Sequence, residues 1–274
     1  MRNMHGAWLL LAFLPLAAAA QQAGQAASTE ALQKATQNPV ASLISVPFQN
    51  NTSFNLPAFG RDQNVLNIQP VVPGQLSANW NLITRVIAPV IYQPALNQAT
   101  LGTVGIGDLQ PTFFLSPAKP GALIWGVGPA FQLPTATNGV LGSGKWQAGG
   151  AAVALLQPGP WTLGVLLTNL WSFAGQRRRP AVNAGLLQYF VNYNLAHGWF
   201  LTTAPVLTAN WKAPSHSVWV VPVGGGIGRI FRIGAQPFNA SVAYYANLVR
   251  PQASPTGTWQ LRVQVALLFP RRPK

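Results

Sequence analysis

From residue 161 to residue 173 the chain alternates strictly: Trp161, Leu163, Val165, Leu167, Asn169, Trp171 and Phe173 hold the odd positions, and Thr162, Gly164, Leu166, Thr168, Leu170 and Ser172 the even ones. A two-residue period sends successive side chains to opposite faces of a strand, whereas a helical face repeats every 3.6 residues. Segments of this kind recur about twelve times, at 43–50, 63–73, 80–93, 107–117, 122–135, 146–157, 160–174, 181–195, 198–212, 217–233, 236–249 and 258–269. Beyond the first twenty residues no apolar run reaches the roughly 18 residues of a membrane-spanning helix, so any crossing must use strands.

The links between these segments alternate in length. "PGQLSAN", "SPAKPG", "QPGP", "LAHG" and "IGAQ" fall on one side, and "QPALNQATLGTVGI", "TATNGVLGSGK", "SFAGQRRRP", "KAPSHS" and "RPQASPTG" on the other. Short turns facing long loops are the pattern of an outer-membrane barrel. Composition agrees, because 7% charged residues cannot build a water-soluble surface around a chain that is 49% hydrophobic. The expected fold is all-β: a transmembrane antiparallel up-and-down β-barrel of about 12 strands, preceded by a short helical segment.

Tryptophans mark the expected membrane borders. Trp199 and Trp211 share one parity and bracket the ninth strand, and twelve residues at about 3.3 Å, tilted by roughly 40°, cover on the order of 30 Å of bilayer. Trp161 and Trp171 bracket the seventh strand in the same way, and Trp146 and Trp259 complete the candidate aromatic girdles. The last strand presents Trp259, Leu261, Val263, Val265, Leu267 and Phe269 on one face, the kind of terminal strand that barrel-insertion machinery reads, although "PRRPK" follows it.

The N-terminus supplies the address. Arg2 and His5, an apolar run from Ala7 to Leu16 and the small residues Ala17 to Ala20 form a secretory signal over 1–20, with cleavage before Gln21. Residues 21–42 form a periplasmic leader or a plug, in which "STEALQKATQ" predicts a short helix capped by Ser28. The barrel occupies 43–270 and a basic tail 271–274. The implied location is the outer membrane of a Gram-negative bacterium.

Several stretches resemble a known family: "ATQNPVASLISVPFQNNT" (35–52), "QNVLNIQPVVP" (63–73), "GIGDLQPTFFLSPAKPG" (105–121), "WGVGPAFQLPTAT" (125–137), "LGSGKW" (141–146) and "VPVGGGIGRIF" (221–231). Over nearly all of the mature chain the sequence is similar to the Gram-negative outer-membrane transporters grouped as meta-pathway of phenol degradation-like, often mislabelled neuromedin U. The resemblance implies a barrel that moves small molecules, hydrophobic or aromatic compounds among them, and it carries over no catalytic residues.

If even positions face the lumen in most strands, the lining receives Asp108, Gln110, Thr112, Gln132, Gln188, Asn192, Asn194, Thr208, Asn210, Arg232, Arg262 and Gln264, a polar, amide-rich set. The alternation leaves the phase open in strands 1, 2, 3, 6, 10 and 11. A shifted phase in the third and eleventh places Arg85, Asn239, Ser241, Tyr245 and Asn247 inside. Asp108 is the one acid on an expected barrel strand and would need a partner at membrane depth, with Arg85, Arg229, Arg232 and Arg262 as candidates. It is either an internal strut or a selectivity site.

Other signals point away from common chemistries. "GVLGSGKW" (139–146) nearly spells a phosphate-binding loop, but Trp146 stands where the Mg²⁺-binding hydroxyl belongs and strands flank the loop on both sides. "VGGGIGR" (223–229) lies inside a strand, where Gly224, Gly226 and Gly228 share a face that either leaves room in the lumen or lets the sheet curve, closure being the commoner reason. With no cysteine, and only Glu30, Asp62 and Asp108 as acids, no metal site and no cofactor are expected.

The net charge of +14, or +13 once Arg2 leaves with the signal, would suggest nucleic acid in another setting. On an exported barrel "QRRRP" (176–180) meets lipopolysaccharide or solvent, and the partners expected are outer-membrane lipid, lipopolysaccharide, the insertion machinery and a small-molecule substrate, with no nucleic acid. Three function classes remain: a small-molecule channel or transporter, a structural or adhesive barrel, and a lipid hydrolase. The last depends on His216 between Ser215 and Ser217, neighbours that point apart, while His197 sits at a periplasmic turn. The expectation is therefore a protein that is not an enzyme.

Overall fold

The computed structural model describes residues 29–57, 60–95, 101–251 and 256–270. The signal segment, Ser28 and the basic tail lie outside the described residues. The chain forms a closed antiparallel barrel of 12 strands. In chain order these are β1 (Leu43–Phe54), β2 (Gln63–Ile68 and Val71–Gln75), β3 (Trp80–Gln93), β4 (Thr103–Ile106 and Gln110–Pro117), β5 (Leu123–Gln132), β6 (Lys145–Leu156), β7 (Trp161–Gly175), β8 (Asn183–Asn194), β9 (Trp199–Thr203 and Val206–Asn210), β10 (Trp219–Ile233), β11 (Gln236–Val249) and β12 (Trp259–Pro270). Each pairs with its chain neighbour, and β12 closes on β1 in continuous register from Leu43 opposite Pro270 to Phe54 opposite Trp259.

The breaks in β2 and β9 have a covalent cause. Pro70 and Pro205 lack the backbone donor a ladder needs, so each interrupts its strand. In β4 the interruption falls at Gly107, Asp108 and Leu109, and loop residues take up its backbone groups: Leu109 N–H donates to Thr135 Oγ1 at 3.0 Å, and Thr135 Oγ1 donates to the Gly107 carbonyl at 3.2 Å.

The glycines of β10 serve closure. A Cβ at Gly224 would collide with the Tyr244 carbonyl and one at Gly226 with the Val242 carbonyl, both in β11, while one at Gly228 would enter the Phe200 ring. At Gly224 and Gly226 the facing backbone of β11 therefore leaves no room for a side chain. Gly226→Val is expected to prevent assembly of the heat-modifiable barrel, since backbone must move to admit the new atoms. Wild-type-like gel migration of that variant would remove the closure reading.

The packed core lies inside the barrel. One cluster joins Val40 to Ile83, Phe114, Ala130, Ala151, Val153, Leu155, Leu166 and Phe190, and a second joins Leu32 to Leu43, Phe200, Ile230, Ala266 and Leu268. Leu32 and Val40 belong to the segment before β1, whose helix spans residues 29–36. That helix is seated at the short-turn end, the periplasmic end by the usual rule. Gln33 Nε2 donates to the Trp199 carbonyl at 2.9 Å, Gln37 and Asn194 exchange amide hydrogen bonds of 2.8 and 3.2 Å, and Gln157 Nε2 donates to the Lys34 carbonyl at 2.8 Å.

The inward face thus differs from the amide-rich lining expected. Ile83, Phe114, Leu166 and Phe190 give it a large apolar sector. Outward polar groups are self-satisfied, as a lipid-facing wall requires: Asn50, Thr52 and Asn64 bond one another, and Trp211 Nε1 donates to Asn169 Oδ1 at 2.7 Å.

Candidate functional site: a cationic lumen cavity

A cavity of about 220 Å³ lies between the barrel wall and the N-terminal segment. It is bordered by Arg85 of β3, Gln188 and Asn192 of β8, Asn239 and Tyr245 of β11, and Arg262 and Gln264 of β12, with Gln37 and Asn38 from the N-terminal segment. The strand parities explain the gathering. Arg85 is opposite Thr112 and Val71, and Arg262 is opposite Ala243 and Asn51, all in lumen-facing registers.

Arg262 is the more heavily engaged cation. Its Nε donates to Asn51 Oδ1 at 3.0 Å, its Nη1 donates to the Ala204 carbonyl at 2.8 Å, and its guanidinium lies 4.7 Å from the Tyr245 ring centre. Ala204 stands at the break in β9. Its N–H donates to the Tyr245 hydroxyl at 3.2 Å, and Gln188 Nε2 also donates to its carbonyl at 3.3 Å. Lumen side chains therefore satisfy backbone groups that Pro205 withdraws from the ladder.

Among the described residues Arg85 has one protein acceptor, Gln69 Oε1 at 2.7 Å. Asn239 is 7% exposed, and its buried Oδ1 has no hydrogen-bond partner among the described residues. Among the described residues no carboxylate borders the cavity. The positive charge of Arg85 and Arg262 is left to polar side chains, to Tyr245 and to whatever enters.

Asp108, proposed from sequence as a partner for an arginine, is held otherwise. It is 4% exposed and accepts from Ser143 N–H at 2.7 Å, Ser143 Oγ at 2.8 Å, Gln132 Nε2 at 3.0 Å and Ala136 N–H at 3.3 Å. Arg229 instead lies 5.1 Å from the Trp199 ring centre and Arg232 is an exposed residue near the end of β10. A buried carboxylate needs donors, and neutral ones from a loop suffice. Hence "GVLGSGKW" is a clasp: Ser143 grips Asp108, Gly142 leaves no room for a Cβ beside that carboxylate, Gly144 adopts φ +66°, and Lys145 opens β6 rather than a helix.

The other sequence candidates spread around the barrel. Gln110 is opposite Ile87 and Gln132 opposite Gln147, on the inward face, and Asn194 is occupied by Gln37 of the N-terminal segment. Trp146, Trp161, Trp171, Trp199 and Trp211 are exposed on the outside near the strand ends, and Trp259 stacks on Phe54 at 3.8 Å. Trp219, edge-on to Trp211 at 5.2 Å, and Trp80, edge-on to Trp125 at 5.9 Å, join this set and were not singled out from sequence. A signal existed for Trp219, which begins an alternating segment. His216 occupies an exposed 3₁₀ turn, Ser215–Ser217, and among the described residues its ring makes no hydrogen bond to either serine.

No protein-family model matches the chain, and no curated protein does. Solved structures do. The COG4313 outer membrane channel from Pseudomonas putida F1 aligns with a TM-score of 0.58 at 16% identity, covering 83% of this chain and 94% of that one. Outer membrane phospholipase A from Escherichia coli aligns at 0.42 with 14% identity over 83% and 92%, and the translocator domain of the autotransporter NalP from Neisseria meningitidis at 0.37 with 13% identity over 96% and 100%. At these identities the likeness is one of fold, and the fold is that of an outer-membrane β-barrel.

Proposed function

We propose that this chain is an outer-membrane channel for small organic solutes, functioning as the meta-pathway of phenol degradation-like transporters are held to function, without catalytic chemistry. The observation that carries the reading is the lumen cavity, where an apolar sector (Leu166, Phe190, Phe200) adjoins two arginines and several amides beneath the N-terminal segment. Arg262 has a structural task at the Ala204 carbonyl, but Arg85 bonds only the Gln69 side chain among the described residues, and burying a charge for structure alone is costly. A hydrolase would need a nucleophile within about 3 Å of its base, and His216 lacks one.

The similarity to a channel of the same strand architecture supports this reading through fold alone. In planar bilayers the full chain is expected to give small conductance with anion preference, set by Arg85 and Arg262. Clear cation selectivity would overturn the charge assignment. Unchanged uptake of small aromatic and aliphatic compounds in a deletion strain, set against a complemented one, would overturn the transport reading.

A further inference from the structure

We infer that the outer wall over β6–β9 carries a binding site for lipopolysaccharide, with one acyl chain of its lipid A in a groove and the phosphorylated headgroup against the loops above. The site rests on the outer-membrane barrel fold and is independent of the channel reading. Gly150 of β6 is opposite Asn169 of β7, Asn169 opposite Gly185 of β8, Gly185 opposite Ala209 of β9, and Ala209 opposite Trp219 of β10. Directly opposed residues share one face of a sheet, so this outward row carries no side chain larger than an amide until it reaches Trp219. The wall is dented there, and a groove of about 420 Å³ lies over it.

The surface of the groove suits a hydrocarbon chain. Asn169 is committed to its neighbours, its Oδ1 accepting from Trp211 Nε1 at 2.7 Å and its Nδ2 donating to Asn183 Oδ1 at 3.1 Å. The first of these bonds holds the Trp211 ring over Gly185, where a Cβ would meet Nε1 at 3.0 Å, and Trp219 stands edge-on to Trp211 at 5.2 Å. Leu167 and Leu187 complete an apolar lining. Trp171, opposite Asn183, stands one row nearer the long loops, which are extracellular by the usual rule. The groove therefore lies just beneath the outer tryptophans, in the hydrocarbon of the outer leaflet.

Charge identifies the lipid. The long loops bounding this sector bring Lys145, Arg177, Arg178, Arg179 and Lys212, and no acidic residue occurs anywhere after Asp108. Arg179 donates to the Gly139 carbonyl, whereas Arg177, Arg178 and Lys212 are exposed and their side chains make no hydrogen bond among the described residues. A lipid with phosphates at the membrane surface and acyl chains below them meets both the cations and the groove, while a zwitterionic phospholipid brings no net charge to the cations. In the outer leaflet of a Gram-negative outer membrane that lipid is lipopolysaccharide.

The test is native mass spectrometry of the purified, detergent-solubilised full chain titrated with doubly phosphorylated lipid A, with lipid A stripped of its phosphates and with phosphatidylglycerol. Expected is a saturable one-to-one complex with lipid A, and binding of the other two weaker by about tenfold or more. Arg177→Gln with Arg178→Gln and Lys212→Gln is expected to weaken lipid A about tenfold while leaving the dephosphorylated form unchanged. Gly150→Leu should weaken both forms of lipid A about tenfold with wild-type heat-modifiable migration, because a Cβ at Gly150 meets nothing within 4 Å and the larger side chain occupies the groove. Ala152→Leu, on the same face opposite Leu167, is a second filling variant.

Phosphatidylglycerol binding as tightly as lipid A overturns the site in favour of a general attraction for anionic lipid. Lipid A affinity within about twofold of wild type in both filling variants, or after loss of the three loop cations, also overturns it. The stated pattern in a barrel that conducts nothing keeps the site and removes the channel.

Discussion

Removal of residues 21–42 is expected to raise single-channel conductance by about an order of magnitude, since an unobstructed lumen of this strand number leaves a narrow aqueous path. In the full chain, the described part of that segment fills the short-turn end. Leu32 and Val40 enter two separate apolar clusters, and Gln33, Gln37 and the Lys34 carbonyl hydrogen-bond to β8, β9 and the turn after β6. A free helix of this length is unstable in water, so these contacts are what order it. The truncated barrel should still close, because the β1–β12 ladder begins at Leu43. Leu32→Asp with Val40→Asp in the full chain should reproduce part of the increase by charging residues packed against apolar walls. Unchanged conductance in a folded truncation would mean that the segment does not limit passage.

Period-two alternation located all twelve strands, because a barrel wall separates lipid from interior and each strand records that division residue by residue, but it left the Thr103–Ile106 arm of β4 in the long loop before residue 107. What alternation cannot report is the chemistry of the interior. Leu166 and Phe190 occupy inward positions between the polar neighbours Thr162, Thr168 and Asn192, and they join an apolar cluster with Val153 and Leu155 of β6 and with Val40 from the segment before β1. The outward tryptophans follow the same alternation: Trp199 and Trp211 stand at strand ends on one face, and both are exposed there. The cavity was legible only in part. Arg85, Tyr245 and Arg262 could be named from a phase argument, whereas the orphaned Asn239 acceptor and the capture of Ala204 by Arg262 and Tyr245 depend on how four strands converge. Pro205 did announce an interruption, but not which side chains would answer it.

Asp108→Ala is expected to free the loop over residues 133–144, and this variant reverses the reading of "GVLGSGKW" most directly. Ser143 and Ala136 N–H, the Ser143 hydroxyl and Gln132 all converge on that carboxylate. Hydrogen bonds to a charged group contribute about 1.5–3 kcal/mol each, without simple additivity, so losing the set lowers the opening free energy by at least about 2 kcal/mol. Because the chain has no cysteine, Leu141→Cys gives a clean reporter at a position now 5% exposed. Its labelling by an impermeant maleimide should accelerate by about tenfold or more when Asp108→Ala is added. Conductance should rise with it, since Leu141 and Thr137 pack over the lumen side of β4 at Gly105. Lys145→Ala should change neither quantity and should leave ATP binding unmeasurable in both proteins, because Lys145 opens a strand and takes no part in the clasp through its side chain. Trp146→Asp, by contrast, should impair membrane assembly by charging an exposed outward residue at the membrane border. Equal labelling rates with and without Asp108 would show that the loop is held by other contacts, and ATP binding lost in Lys145→Ala would restore the phosphate-loop reading that the strand after Gly144 now opposes.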